Sequence, residues 1–570
     1  MQGFADFSDG LLGGAILVAL AVALGGVAFA LLVVPRDGGA GRDALRARAA
    51  TVLAWGAAAL ALCQVVVLGL KAIVLAGYLG PDVIARYPGT LQFRAGVARA
   101  ACAAALVGAA LLARRRPAAA GPWIAVVTLA ACTALAGAWL VHAAGRLDDR
   151  AWLMTVTVLH QIAASVWAGG LIHLGSAWRL GRRDGAVRAL WPRLVARFSA
   201  FAMASVAALV LFALPLARWY VGSWDGLVGT GYGSLVVTKA GLLAAALVLA
   251  AGNLGALRAY RRRGDRVPLH ARVPYLMEAE TILVVVLLFT AASLSSQPPA
   301  RDTTDERATV GEMIEVFRPK IPNLRTPSVD RMLTNSSDPY AAVGGERTAV
   351  AYSWSNFSHN VAGLFLLAMS LLALASARAG WSWARHWPLG LAGLGVFVFL
   401  RSMAVDGVWP FGPRGFWHTT LVSAEDMQHR LAGVLAITLG LVEWRARRGN
   451  RPDSRLAYVF PALAAAGGLL LLVHSHVAFE LKSSYLIQVT HTLMGALAVL
   501  LACGRLLELR LDSRIGRIAG VGASLAMLLI ALTLIFYREA NIVVPSEAVA
   551  TAPGLLAAAS SPSTCPPGAP

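Results

Sequence analysis

Apolar stretches interrupted by short polar ones run along nearly the whole chain. Apolar runs long enough to cross a hydrocarbon core, which takes about twenty residues as a helix, begin near residues 11, 50, 95, 121, 152, 198, 234, 273, 355, 388, 426, 456, 485 and 516. This pattern predicts an all-α polytopic integral membrane protein with about fourteen transmembrane helices. Residues Ser295 to Trp354 break it with a polar stretch that holds PP, PK, IPN and TPS turns. The chain is therefore expected to form two bundles with a segment between them. The divisions are a four-helix region over 1–150, a second four-helix domain over 151–295, a linker over 296–354, and a six-helix domain rich in histidine over 355–540. An Ala, Pro and Ser-rich tail over 541–570 has the composition of a disordered segment.

Alternate connections carry the basic residues: Arg36 to Arg48, Arg114 to Arg116, Arg179 to Arg197, Arg258 to Arg272, Arg378 and Arg385, Arg445 to Arg455, and Arg505 to Arg517. These loops hold 30 of the 50 Lys and Arg residues, and strict alternation puts them on the cytoplasmic side with both termini outside. In a bacterial inner membrane, outside means periplasm. The N-terminus has Asp6 and Asp9 but no basic stretch before its apolar run, so the first span is expected to be retained.

Composition narrows the class further. Apolar residues make up 58% and charged residues 14%, against about 25% charged in soluble domains. This excludes a soluble enzyme, a disordered scaffold and a disulfide-stapled secreted domain. The net charge of +20 is explained by orientation signals, so no nucleic-acid partner is expected. The five cysteines include no CxxC pair, and four lie in apolar runs, where they read as packing residues. No GxxxxGK[ST] or DKTG motif is present, so ion movement is expected to run without an ATPase of its own.

The histidines carry the chemistry. His359 in SNFSHN, His429 in AEDMQHRLAG, His474 and His476 in LLVHSHVAFELK and His491 in QVTHTLMG all fall towards the outer ends of their helices. Taken singly, each is an interfacial or hydrogen-bonded imidazole. Ionisable groups within spans are costly and usually face a bundle interior with a partner, so five at one depth point to a shared metal or haem site. Imidazole suits copper, zinc, iron and nickel. His474 and His476 are separated by about 200° around a helix, so both reach one ion only if the helix end unwinds. Glu425, Asp426 and Glu480 either orient these ligands or attract cations, or are ordinary interface carboxylates, the simpler reading for Glu480. Alternatively His429 and His491 are axial ligands of a haem b, with Arg430 near a propionate.

In the first half, WLMTVTVLHQIAASVWAGGLIHLGSAW holds His160, Trp167 and His173. The two histidines are about 20 Å apart along the helix, too far for one ligand shell but suitable as successive stations. Lys239 and Glu280 add ionisable groups near the outer and the cytoplasmic face of neighbouring spans.

These stretches resemble the copper resistance protein D (CopD) family. The likeness rests on LHQIAASVWAGGLIHL, RFSAFAMASVAALVLFALPLA, GTGYGSLVVTKAGLLAAALVLAAGN and the MEAETILVVVLLFTAASLSSQPP span, and on QHRLAGVLAITLGLVEWR and HSHVAFELKSSYLIQVTHTLMG in the second half. It covers roughly residues 150 to 300 and 425 to 511. The resemblance implies copper handling in the bacterial inner membrane beside a periplasmic copper-binding protein. It implies a translocation path through His160, Trp167, His173, Tyr232, Lys239 and Glu280, with His429, His474, His476 and His491 in the second half. Copper ions, Cu(I) or Cu(II), are the expected cargo. No catalytic residue is assigned, and the alternative to transport is a non-transporting copper-binding assembly factor.

Overall fold

The computed structural model describes residues 2–337, 349–378, 381–401, 415–422, 424–448, 455–473, 481–511 and 514–539, and among these every regular element is helical. The first half comprises α1 (Gln2–Ala28, continuing as a π-helical turn over Phe29–Val33), α2 (Gly39–Leu79), α3 (Leu91–Arg115), α4 (Ala120–Ala138), α5 (Arg150–Gly181), α6 (Gly185–Val221), α7 (Gly231–Arg263) and α8 (Val273–Leu294). The intervening segment holds the short helices α9 (Val310–Phe317) and α10 (Val329–Ser337). The second half comprises α11 (Ala349–Arg378), α12 (Pro388–Arg401), α13 (Ala424–Arg448), α14 (Val459–Leu472), α15 (Leu481–Arg510) and α16 (Arg514–Ile535).

Twelve helices among the described residues are long and apolar enough to cross a membrane. The sequence pattern predicts fourteen, and the difference falls on α12 and α13. The first has 14 described residues. The second has length, but Glu425, Asp426, Arg430 and Glu443 lower its hydropathy.

Helix α1 packs against α2, α5 and α8, so the first span lies among the helices of the second predicted unit as well as beside its own neighbours. Small residues make this possible. A Cβ on Gly169 would stand 1.8 Å from the Ala21 carbonyl oxygen, and one on Gly25 would stand 2.4 Å from the Gly169 Cα. Lipid offers no hydrophobic drive between helices, and van der Waals contact at such close approach supplies the attraction instead.

The two halves meet where α7 and α8 pack against α15. At the arginine-rich face of this seam, the Arg510 Nε lies 3.3 Å from the Glu278 carboxylate. Its guanidinium also sits over the rings of Tyr458 and Tyr275, at 4.0 and 5.2 Å. Nearby, the fully buried Glu443 accepts from Arg447 at 2.6 Å and from Arg505 at 2.9 Å. At the opposite face, the Tyr485 hydroxyl donates to the Val228 carbonyl. The segment is fastened there too, because Lys482 pairs with Glu312 at 2.6 Å and the Leu481 amide donates to Glu306 at 3.0 Å. Helix α9 itself starts on a capping box, in which Thr309 and Glu312 satisfy each other's backbone amides.

Two outcomes follow from this packing. Gly169→Ala should lower the thermal unfolding midpoint in detergent by the equivalent of about 1–3 kcal/mol, the usual cost of overpacking. Gly108→Ala, where nothing lies within 4 Å of the added carbon, should leave the midpoint in place. Glu312 provides a pH test. Partial burial opposes its ionisation, but hydrogen bonds from Lys482 and Thr309 outweigh that and hold the carboxyl below its ordinary value of 4.5. A depressed carboxyl stabilises the docked segment above that value and loses its contribution as pH falls below it. Limited proteolysis of residues 300–330 should therefore accelerate on acidification through this range, and Glu312→Gln should remove the step.

Candidate functional site

Helices α11, α15 and the chain leaving α16 bring two of the predicted histidines together at the face opposite the arginine clusters. The rings of His359 and His491 stand perpendicular with centroids 5.5 Å apart. Tyr537 completes the group, stacked on His359 at 4.1 Å and edge-on to His491 at 5.9 Å. His491 is buried and His359 half-buried.

Backbone hydrogen bonds fix the imidazoles. His359 Nδ1 lies 2.8 Å from the Ser355 carbonyl oxygen, and His491 Nδ1 lies 3.0 Å from that of Ile487. A carbonyl oxygen only accepts, so Nδ1 carries the proton in both rings and the lone pair of the neutral imidazole is on Nε2. Metal-bound histidines commonly show this arrangement, with the second nitrogen donating to a carbonyl or carboxylate.

A polar network holds the chain after α16 over this group. Ser355 donates to the Glu539 carboxylate, and the Tyr537 hydroxyl donates to it at 3.1 Å. The Glu539 amide donates to Asn356 Oδ1 at 2.9 Å, and Asn360 donates to the Leu534 and Tyr537 carbonyls, each at 3.0 Å. Sequence reasoning missed Tyr537 and Glu539. Their one signal is the tyrosine and charged residues that directly follow the last apolar run, in IFYREAN.

His429 on α13 adopts the same tautomer, with Nδ1 at 2.9 Å from the Glu425 carbonyl oxygen. Glu425 thus meets His429 through its backbone carbonyl. Asp426 is buried, and its charge acts on Arg430. The Arg430 guanidinium lies 3.9 Å from the Phe416 ring centroid and donates to the Phe416 carbonyl. His474, His476 and Glu480 lie outside the described residues. Among the described residues, no group of three or more His, Cys, Asp or Glu side chains is placed to hold a metal ion.

The first-half residues fall into separate places. His160 Nδ1 lies 3.1 Å from the Leu209 carbonyl oxygen on α6, and the Lys239 charge is near enough to act on the ring. Tyr232 lies at the start of α7 with its ring 6.2 Å from that of Tyr220. His173 is buried against α1, where Nε2 donates to the Val22 carbonyl at 2.9 Å and the ring stacks on Phe29 at 5.8 Å. Its proton is thus on Nε2, and the buried Nδ1 has no hydrogen-bond partner. Glu280 is buried and accepts from Asn253 Nδ2 at 3.0 Å, and the Trp167 indole is directed at the same carboxyl. Trp167, His173 and Glu280 are buried, whereas His160, Tyr232 and Lys239 are half-buried.

The fold defines a polytopic helical membrane protein. Residues 192–294, from α6 to the end of α8, match the family described as Copper resistance protein D. The chain is also 28% identical over 190 residues to the copper transport protein CutJ of Bacillus subtilis (strain 168). That alignment covers 33% of this chain and 32% of CutJ, so the chain spans about a third of the curated relative it matches. No solved structure matches the chain. Together these findings support a CopD-family protein, with Tyr232, Lys239 and Glu280 inside the matched stretch and His160, Trp167 and His173 just before it.

Proposed function

We propose that this chain captures copper ions at the outward face of its second half and passes them towards the cytoplasm through its first half. The observation that carries the reading is the meeting of His359 and His491 from distant helices, each with Nδ1 spent on a backbone carbonyl. The CopD match over residues 192–294 and the partial likeness to a copper transport protein support copper as the ion. In this account His429, His474 and His476 supply further imidazoles to the cluster, while Asp426, Glu425 and Glu480 attract the cation or orient ligands. His160 and His173 are the inward stations, with Trp167, Tyr232, Lys239 and Glu280 around them.

The same account takes the protein as residing in the bacterial inner membrane with fourteen spans, including α12 and α13, and with both termini periplasmic. The arginine-bearing loops support that orientation. The membrane potential then supplies the driving force, about 2.3 kcal/mol per charge per 100 mV for an entering cation. Copper arrives from a periplasmic copper-binding partner. The haem alternative is less well supported by the geometry. The ring of His491 is packed edge-on against His359 and Tyr537, and a porphyrin bound there would have to displace both.

Copper bound per purified protein tests the capture step. The His359→Ala, His491→Ala double variant should lose at least half of the bound copper, as should the His474→Ala, His476→Ala double variant. Unchanged copper content in both would reject the reading. Copper uptake into proteoliposomes, raised by an inside-negative potential, separates transport from an assembly role, which would give binding without flux.

A further inference from the structure

Glu280 lies on α8 about two turns from the arginine-rich face and is 3% exposed. Its identified partners, the Asn253 amide and the Trp167 indole, are both neutral donors. Charged groups on the helices packed around α8 are engaged elsewhere or face away. Arg510 on α15 pairs with Glu278, and Arg505 on α15 pairs with Glu443 and Glu508. On α7, Arg258 is exposed, and Lys239 lies about 20 Å along the helix from Asn253, the residue that meets Glu280. On α5, His173 donates to the Val22 carbonyl of α1. The buried stretches of α1 and α14 hold no charged residue. The nearest thiol, Cys503 on α15, donates to the carbonyl of Ala279 at 3.6 Å. A carboxylate in this position would be a buried anion without a counter-ion, which spans rarely tolerate.

A second observation concerns the amide. Asn253 gives one N–H to Glu280 Oε2, while its own Oδ1 is buried with no hydrogen-bond partner. An ionised carboxylate has nothing to offer that oxygen, because it only accepts. A neutral carboxylic acid does, since its O–H can donate to the amide oxygen while its carbonyl accepts from the amide nitrogen. The two groups are complementary as acid and amide, and mismatched as anion and amide.

We propose that Glu280 is a proton-binding site within the span: it holds its proton in the resting protein and gives it up towards the arginine-rich face when a cation enters the surrounding helices. Charge balances, because one proton leaves as one positive charge arrives. The exchange half of this proposal rests on the copper reading above, and the resting proton does not.

Infrared difference spectroscopy of the full-length protein in detergent at neutral pH tests both halves. The wild-type minus Glu280→Gln spectrum should contain the C=O stretch of a protonated carboxyl, shifted in deuterium oxide. Asn253→Leu should move that band to higher frequency without abolishing it, and Glu278→Gln should leave it unchanged. Absence of the band from the Glu280 difference spectrum overturns the proposal. Adding Cu(I) should remove the band and release about one proton per ion bound. A band that persists while copper binds overturns the exchange. An intact band in a protein that binds no copper supports the proton site and rejects the copper reading.

Discussion

Inside a bilayer no water completes the hydrogen bonds of a buried polar group, so every imidazole must first satisfy the protein. In this chain that constraint fixes the histidines chemically. His359, His429 and His491 each spend Nδ1 on the carbonyl one turn earlier in their own helix. The helix thereby sets the tautomer, and the lone pair on Nε2 takes a direction that the backbone determines. His173 resolves the same demand in the opposite way, by donating from Nε2 to a neighbouring helix. The three second-half histidines thus share one backbone-set tautomer, whereas His173 is bound into the packing of α1 and α5.

Packing determines which of these groups meet. The contact of α1 with α5 depends on Gly25 and Gly169, and it brings the Val22 carbonyl to His173. The return of the chain after α16 depends on Asn356, Asn360 and Glu539, and it lays Tyr537 over His359. The seam between halves, held by Arg510 with Glu278 at one face and Tyr485 with Val228 at the other, couples the matched region to the histidine-bearing helices. His491 on α15 and the buried Glu280 on α8 are thus carried by helices that pack directly together.

The sequence makes the helical class and the polytopic character legible, because twenty-residue apolar runs have few other physical outcomes. The shared depth of His359 and His491 is legible only as part of a group of five histidines, and the sequence does not single out these two as the ones that meet. Their setting is not legible either, because Tyr537 and Glu539 follow the last apolar run, where no periodicity marks a fold-back. The family likeness is legible in the Tyr-Gly-x5-Lys and Glu positions that the matched stretch contains. Asn253 is visible there only as a residue in a pattern, since its partnership with Glu280 spans two helices. Helices α12 and α13 show where hydropathy loses force, because α13 keeps its helical length while charged residues dilute the apolar signal. His474, His476 and Glu480 lie outside the described residues.

The central claim is that outward-face imidazoles from separate helices bind one copper ion through Nε2. X-ray absorption at the copper edge of the loaded, full-length protein measures this directly. The account predicts a first shell of nitrogen donors with the multiple-scattering signature of at least two imidazoles, reduced by at least one in His491→Ala. A shell containing no imidazole, or one that His491→Ala leaves unchanged, would contradict it.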